Sequence, residues 1–257
     1  MSKRQEMREK KARQERTQRI LMIVGVTLVV IAFALILILP NLPKDVGAVT
    51  VPEVYPRPQA KFNAAGDPNA PVKMIEYSDF QCPYCGKFWK DGTDRQIMET
   101  YVATGKVYFE YRTAGEFIGG PGGESIRSAE AAYCAGDQNK FWEMHDIIFA
   151  NQNGENQGAF SDPRLVAFGE KIGLDMTAFK DCFNNGKYTQ KAKQDEQSAA
   201  QDIQGATNYN DMVAAKQYSP SGFSTPSFLV NGKLISGALP FSEFQKEIEA
   251  ALAAVKK

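Results

Sequence analysis

The residues most able to do chemistry in this sequence are two cysteines two positions apart, in Cys82-Pro83-Tyr84-Cys85. Such a pair can close a disulfide only where the backbone turns, as at the start of a helix. A cysteine there faces unpaired N–H groups and the positive end of the helix dipole. Both lower its thiol pKa and raise the fraction of thiolate, the attacking species. Pro83 would fall in the first helical turn, where a missing N–H costs nothing. Cys85, one turn further in, would resolve a mixed disulfide formed at Cys82. Zinc sites and inert bridges use the same spacing. A four-ligand zinc site wants a second close pair, whereas Cys134 and Cys182 lie 48 residues apart. The one histidine, His145, sits in Phe141-Trp142-Glu143-Met144-His145 with no second histidine to assist; Phe141, Trp142 and Phe149 read as a helical core face, with His145 packed or exposed there and not catalytic. Redox use is the favoured reading, with a structural disulfide and a metal site as alternatives.

A strand running into a helix would position such a pair. Residues 72–78 (VKMIEYS) read as a short buried strand, followed by the cysteine motif and a helical stretch to about Ala103, with Gly105 as its stop. Residues 106–112 alternate and are rich in aromatics, which predicts a second strand. Beyond the glycine-rich loop 119–123, residues 124–204 carry helical periodicity almost throughout, with segments at 125–135, 141–151, 162–172, 177–184 and 188–203. Then Ser227–Val230, the turn Asn231-Gly232 and Lys233–Ser236 predict a hairpin, and 241–255 an amphipathic closing helix. The order predicts an α/β protein, a small mixed sheet with a helical insertion. The glycine-rich loop lacks the lysine and preceding strand of a nucleotide fingerprint. No organic cofactor and no metal are expected, because the cysteines would carry the electrons.

The chain has 257 residues, zero formal net charge and 43% hydrophobic residues. That excludes a wholly disordered, collagenous or polytopic membrane protein. Its charge is uneven. Residues 1–19 hold eight Lys or Arg against three Asp or Glu, and the remainder is net acidic, which argues against nucleic acid as a partner. Residues 20–39 carry no charge, and as a helix would span about 30 Å, the thickness of a bilayer core, ending at Pro40. The basic flank predicts a cytoplasmic N-terminus with the rest of the chain on the far side of a cell membrane. A cleaved signal peptide is the weaker reading, since its nearest cleavage candidate, Val46-Gly47-Ala48, lies well past the apolar run. Seven of the thirteen prolines fall within residues 40–71, so 40–61 reads as an extended tether. The domain organisation expected is therefore 1–19 cytoplasmic, 20–39 anchor, 40–61 linker and 62–257 folded domain.

The strand-CxxC-helix opening, the helical insertion and Thr225-Pro226-Ser227-Phe228 before a hairpin together resemble the DsbA-like branch of the thioredoxin superfamily. The resemblance covers roughly residues 62–257. It implies a thioredoxin-like fold with a helical insertion, here preceded by a single transmembrane helix, and protein disulfide oxidoreductase activity. It implies that Pro226, preceded by Thr225, is a cis-proline facing the cysteines and helps to bind an extended substrate chain, alongside Pro83 and Tyr84. A proline just ahead of a strand can take the cis form, and its missing N–H leaves a sheet edge open to a partner. Glu76, six residues before Cys82, resembles a buried proton relay for the second cysteine; alternatively its side chain points to water. Several relatives carry a second disulfide in the helical region, so the resemblance implies a structural Cys134–Cys182 bridge, with a second redox pair or free thiols as alternatives.

Exported protein thiols or disulfides, and a membrane redox partner of the quinone-linked kind, are the implied partners. The Pro-Tyr dipeptide leaves the direction of electron flow open between oxidase and reductase or isomerase. A tethered binding or chaperone module with a structural CxxC is the alternative from another class. Two departures from the family stand out: Ser224 where glycine often precedes the Thr-Pro pair, and a long segment at 207–221.

Overall fold

The structure is a computed structural model describing residues 3–38, 46–114, 120, 122–219 and 224–255. The chain falls into two units, one to Asp45 and one from Val46.

The first unit is a single helix, α1 (Lys3–Ile38), which begins within the charged arm and runs through the apolar stretch without a break. Glu15–Ile36 is long and apolar enough to cross a membrane. The predicted end at Leu39 and Pro40 lies outside the described residues.

In the second unit, five strands form one sheet in the order β1-β3-β2-β4-β5. They are β1 (Ala64–Ala65), β2 (Val72–Ser78), β3 (Val107–Thr113), β4 (Ser227–Val230) and β5 (Lys233–Ser236). β2 runs parallel to β3 and antiparallel to β4, and β1 and β5 pair antiparallel at the two edges. This is the thioredoxin-like α/β arrangement that the element order and the resemblance predict. The crossover between β2 and β3 holds α2 (Pro83–Lys90), α3 (Thr93–Ile97) and a π-helical turn (Met98–Val102). One continuous helix was expected here. It breaks at Gly92, whose left-handed φ of 76° starts α3, a conformation that costs glycine little.

Between β3 and β4 lies the insertion: α4 (Glu124–Gly136), α5 (Phe141–Ala150), α6 (Asp162–Lys171), α7 (Met176–Asn184), α8 (Thr189–Gln204) and the short α9 (Tyr209–Ala214), which the periodicity did not predict. α10 (Phe241–Val255) closes the chain. Cys134 on α4 and Cys182 on α7 are joined in a disulfide with Cα atoms 5.8 Å apart.

β2 sits mid-sheet; one face is buried throughout and the other passes from exposed Lys73 through half-buried Ile75 to buried Tyr77, so its side chains alternate between two environments. Val72 and Met74 enter the main core with Phe109, Phe141 and Phe149, while Tyr77 enters a smaller cluster with Ala199, Ile203, Tyr218, Leu229 and Leu234.

Residues 46–61, read from sequence as tether, contribute to the packing. Tyr55 is buried, and the Arg57 side chain, 3% exposed, meets Asp94 at 3.0 Å and Asp146 at 2.7 Å. The guanidinium lies between the rings of Tyr55 and Trp142, 4.1 and 4.6 Å from their centroids. Asp146 also accepts from Trp89 Nε1 and meets His145 Nδ1, both at 2.9 Å. Arg57 holds the Asp146 carboxyl well below the usual range despite its burial. Prolines forbid regular secondary structure, but they do not prevent one aromatic and one arginine from docking into an acidic recess. Of the two expectations for His145, packed or exposed, the structure shows it packed: it is buried, edge-on to Phe80, Tyr111, Trp142 and Phe149.

A candidate redox active site

β2 ends at Ser78, and the chain turns through Asp79, Phe80 and Gln81 before α2 begins. Local hydrogen bonds shape that turn. Asp79 Oδ1 accepts the Gln81 N–H at 2.8 Å, an Asx-type turn. The Gln81 amide is then anchored on the insertion, donating to Ser125 Oγ at 2.7 Å and accepting the Asn156 N–H at 2.5 Å. Cys82 occupies the N-cap of α2, with extended φ −63° and ψ 122°, and Pro83 stands at the first helical position. Both cysteines are unbridged and buried, 5% exposed at Cys82 and 0% at Cys85. Tyr84 between them is 66% exposed, an aromatic ring presented beside the reactive pair.

The two thiols are pushed apart. The Cys82 pKa falls to about 6: the Cys85 thiol donates to its sulfur, burial opposes, and Thr225 together with the N–H groups of Cys85 and Tyr84 stabilises the anion. As a thiol, Cys82 donates to the Thr225 carbonyl at 3.4 Å. Burial, and then the neighbouring Cys82, push Cys85 well above the ordinary thiol value. A low-pKa nucleophile over a high-pKa partner can run dithiol–disulfide exchange.

The Thr225–Pro226 peptide bond is cis, and the Thr225 contact places this loop against the Cys82 sulfur. Glu76 is 2% exposed, so its carboxyl faces the interior and not water. Burial and then nearby Asp94 raise its pKa to about 8. The Ser78 hydroxyl, itself unpartnered and buried, is the neighbour that Glu76, Cys85 and Tyr111 share. Cys134 and Cys182 lie elsewhere, in the insertion. Among the described residues no cluster of His, Cys, Asp or Glu could hold a metal ion.

Sequence reading missed two residues here. Asp79 is fully buried, its own N–H lies 3.5 Å from Cys85 Sγ, and burial raises its carboxyl to about 8. An aspartate two residues before a backbone N–H it can cap was the available signal. Gln152, just past α5, donates through Nε2 to the carbonyls of Phe80 at 2.9 Å and Cys82 at 2.8 Å. Nothing in the sequence links it to a motif 70 residues earlier.

Fold and site together define a protein of the thioredoxin class carrying a CxxC pair. The sequence matches the thioredoxin family over residues 61–250, and the chain belongs to that family. It is 28% identical over 190 residues to a probable disulfide bond formation protein D of Bacillus anthracis, covering 73% of this chain and 76% of that one. It is also 29% identical over 191 residues to a protein of Salinispora arenicola named Na(+)/H(+) antiporter NhaA 1. That match takes in 74% of this chain and spans only 25% of the relative's length. Among solved structures, oxidised BdbD of Bacillus subtilis shares the fold with a TM-score of 0.57 at 20% identity, covering 74% of this chain and 92% of that one.

Proposed function

We propose that this chain is an extracytoplasmic thiol–disulfide oxidoreductase that donates disulfides to exported proteins through Cys82 and Cys85. The observation that carries the reading is the placement of the pair: Cys82 at the N-cap of α2, 3.4 Å from the Thr225 carbonyl, and Cys85 fully buried beside it, which lowers the first thiol's pKa and raises the second's. A stabilised Cys82 thiolate favours the reduced dithiol, and a couple whose reduced form is stabilised is the more oxidising one.

In this reading a substrate thiolate attacks Cys82 Sγ of the disulfide form. The Cys82–Cys85 bond breaks, a mixed disulfide forms, and Cys85 leaves as a thiolate that takes up a proton. Glu76, protonated at neutral pH by its raised pKa, is the proposed donor, with the Ser78 hydroxyl as the neighbour common to both. A second substrate thiolate attacks the substrate sulfur, closing its disulfide and releasing Cys82 as thiolate. The substrate loses two electrons and two protons, and the protein gains two electrons as its dithiol. The loop at Thr225 and Pro226, with Pro83 and the exposed Tyr84, is proposed to take the substrate chain. Cys134–Cys182 is proposed to be structural.

The uncharged run 20–39 is proposed to anchor the chain, with 1–19 in the cytoplasm by the excess of basic residues and the domain from 62 onward outside. A membrane protein, of the quinone-linked kind, would reoxidise the dithiol. Equilibration of the full chain in detergent against glutathione buffers tests the reading. A potential of about −120 to −180 mV supports a disulfide donor, and about −270 mV makes the protein a reductase. A pair that cannot be reduced across that range is a structural bridge, which leaves a binding module as the function.

A further inference from the structure

Ser224 and the segment 207–221, both singled out in the sequence, meet in the structure, the segment being described as far as Ser219. The segment is strapped to the β4–β5 hairpin. Thr207 N–H donates to Gly232 O at 3.0 Å, and the Asn208 side chain pairs with both backbone groups of Leu234, at 2.8 and 3.0 Å. Tyr209, Met212 and Val213 then pack on the smaller apolar cluster, which Tyr218 enters with 6% exposure and its ring edge-on to Tyr209. From there the Tyr218 hydroxyl accepts the Ser224 N–H at 2.9 Å and lies 3.3 Å from Ser227 Oγ, which in turn donates to Ser224 O at 2.5 Å. Both backbone groups of Ser224 are thus held by side chains that touch each other, and Thr225 and Pro226 follow it directly.

We propose that Tyr218 is a positioning residue for substrate capture, holding Ser224 and through it the Thr225–Pro226 loop opposite Cys82. This deepens the functional reading and rests on it, since it takes that loop as the seat of the substrate chain. The strap fastens the hairpin and the loop to one small core, so the loop's backbone is set before substrate arrives and less ordering is left for binding.

The test is steady-state exchange between the full chain, oxidised and in detergent, and a reduced peptide carrying two cysteines. Y218F keeps the ring and removes the hydroxyl. It should raise KM about five- to tenfold, the size expected for one lost buried hydrogen bond, and leave kcat within about twofold. S227A should raise KM in the same direction. The double variant should raise it by less than the product of the two, because both act on Ser224. A KM within about twofold of wild type in Y218F overturns the proposal, even if the variant melts earlier. So does full multiplicativity of the pair. In both cases exchange by the wild-type chain remains and the function stands. A wild-type chain that exchanges with no peptide removes the function, and this inference with it.

Discussion

The Cys82 sulfur lies 3.4 Å from the carbonyl oxygen of Thr225, a residue 143 positions further along the chain. One contact thus joins the nucleophile, delivered by the end of β2, to the loop that leads into β4. Because β2 and β4 are direct neighbours in the sheet, with Glu76 opposite Phe228 and Tyr77 opposite Ser227, their register holds this approach. The reactive sulfur and its facing loop are therefore set by sheet pairing.

The Cys82 thiol should titrate near pH 6, against 9 for an ordinary cysteine. Below that midpoint the thiolate fraction, and with it the rate at which the reduced protein attacks a disulfide, should fall about tenfold per pH unit. The sign for stability follows: a depressed pKa stabilises the reduced fold fully above about pH 9, and that gain is lost as pH falls through about 6. Ultraviolet thiolate absorbance of wild type against C82S reads the midpoint. A value near 9 would mean that the helix start and Cys85 do not stabilise the anion.

Glu76 carries the opposite sign. Its pKa rises from 4.5 to about 8, so its contribution is most favourable below pH 4.5 and is lost as pH rises through 8. E76Q removes that dependence. It should be more stable than wild type by an amount that grows with pH, up to about 3 kcal/mol by pH 7, while slowing exchange. Urea denaturation at pH 5 and pH 8 checks this. Equal differences at the two pH values would show that the carboxyl is not held protonated.

Arg57 should matter more for stability than any ion pair on the surface. R57M leaves Asp94 and Asp146 buried without their cation, which should cost about 3–5 kcal/mol. A chain starting at residue 60 should lose a similar amount relative to one starting at 46, because it lacks both Tyr55 and Arg57. Comparing the two truncations by chemical denaturation decides it, and equal midpoints would return 46–59 to the role of a plain tether.

Gln152 and Gly86 should behave as one unit. A Cβ at Gly86 would fall 2.0 Å from Gln152 Oε1, so G86A must displace the amide that holds the carbonyls of Phe80 and Cys82. Q152A and G86A should each slow exchange several-fold, and the double variant no more than Q152A alone. Additive losses in kcat/KM would separate the two positions.

The Cys134–Cys182 bridge should be separable from exchange. Replacing both cysteines with alanine should cost about 4 kcal/mol in the chain-entropy account for a loop of this length, with kcat/KM unchanged. Thermal melting and peptide exchange on the same variant report the two quantities, and a loss of exchange without a loss of stability would make it a second redox pair.

The positions of β2, β3, the hairpin, α10 and five insertion helices were legible in the sequence to within a residue or two, because periodicity, glycine stops and the Asn231-Gly232 turn are local signals. The two-residue β1, the break at Gly92 and α9 were not. β1 has no period to read, and α9 is a helix of six residues held by packing on Tyr218 and the hairpin. At the site, the cysteine pair and its place at a strand-to-helix junction were readable, whereas Asp79, Gln152 and Tyr218 were not recognised.

What the sequence determined by itself is the chemistry available: two thiols at one-turn spacing with a proline at the helix start, an acid six residues upstream in an apolar strand, and an uncharged run long enough for a bilayer. Those are covalent spacings and local propensities, carried within a few residues. Only the tertiary structure decided which groups lose water and what they then meet. The burial that raises Cys85 and Glu76 comes from the packed core, and Thr225 reaches Cys82 from the loop before β4. Arg57 finds Asp146 from a segment with no regular structure, and the carbonyl of Cys82 is held by Gln152 from the insertion. A pKa depends on solvation and on charges brought close by packing, so it belongs to the fold and not to the motif.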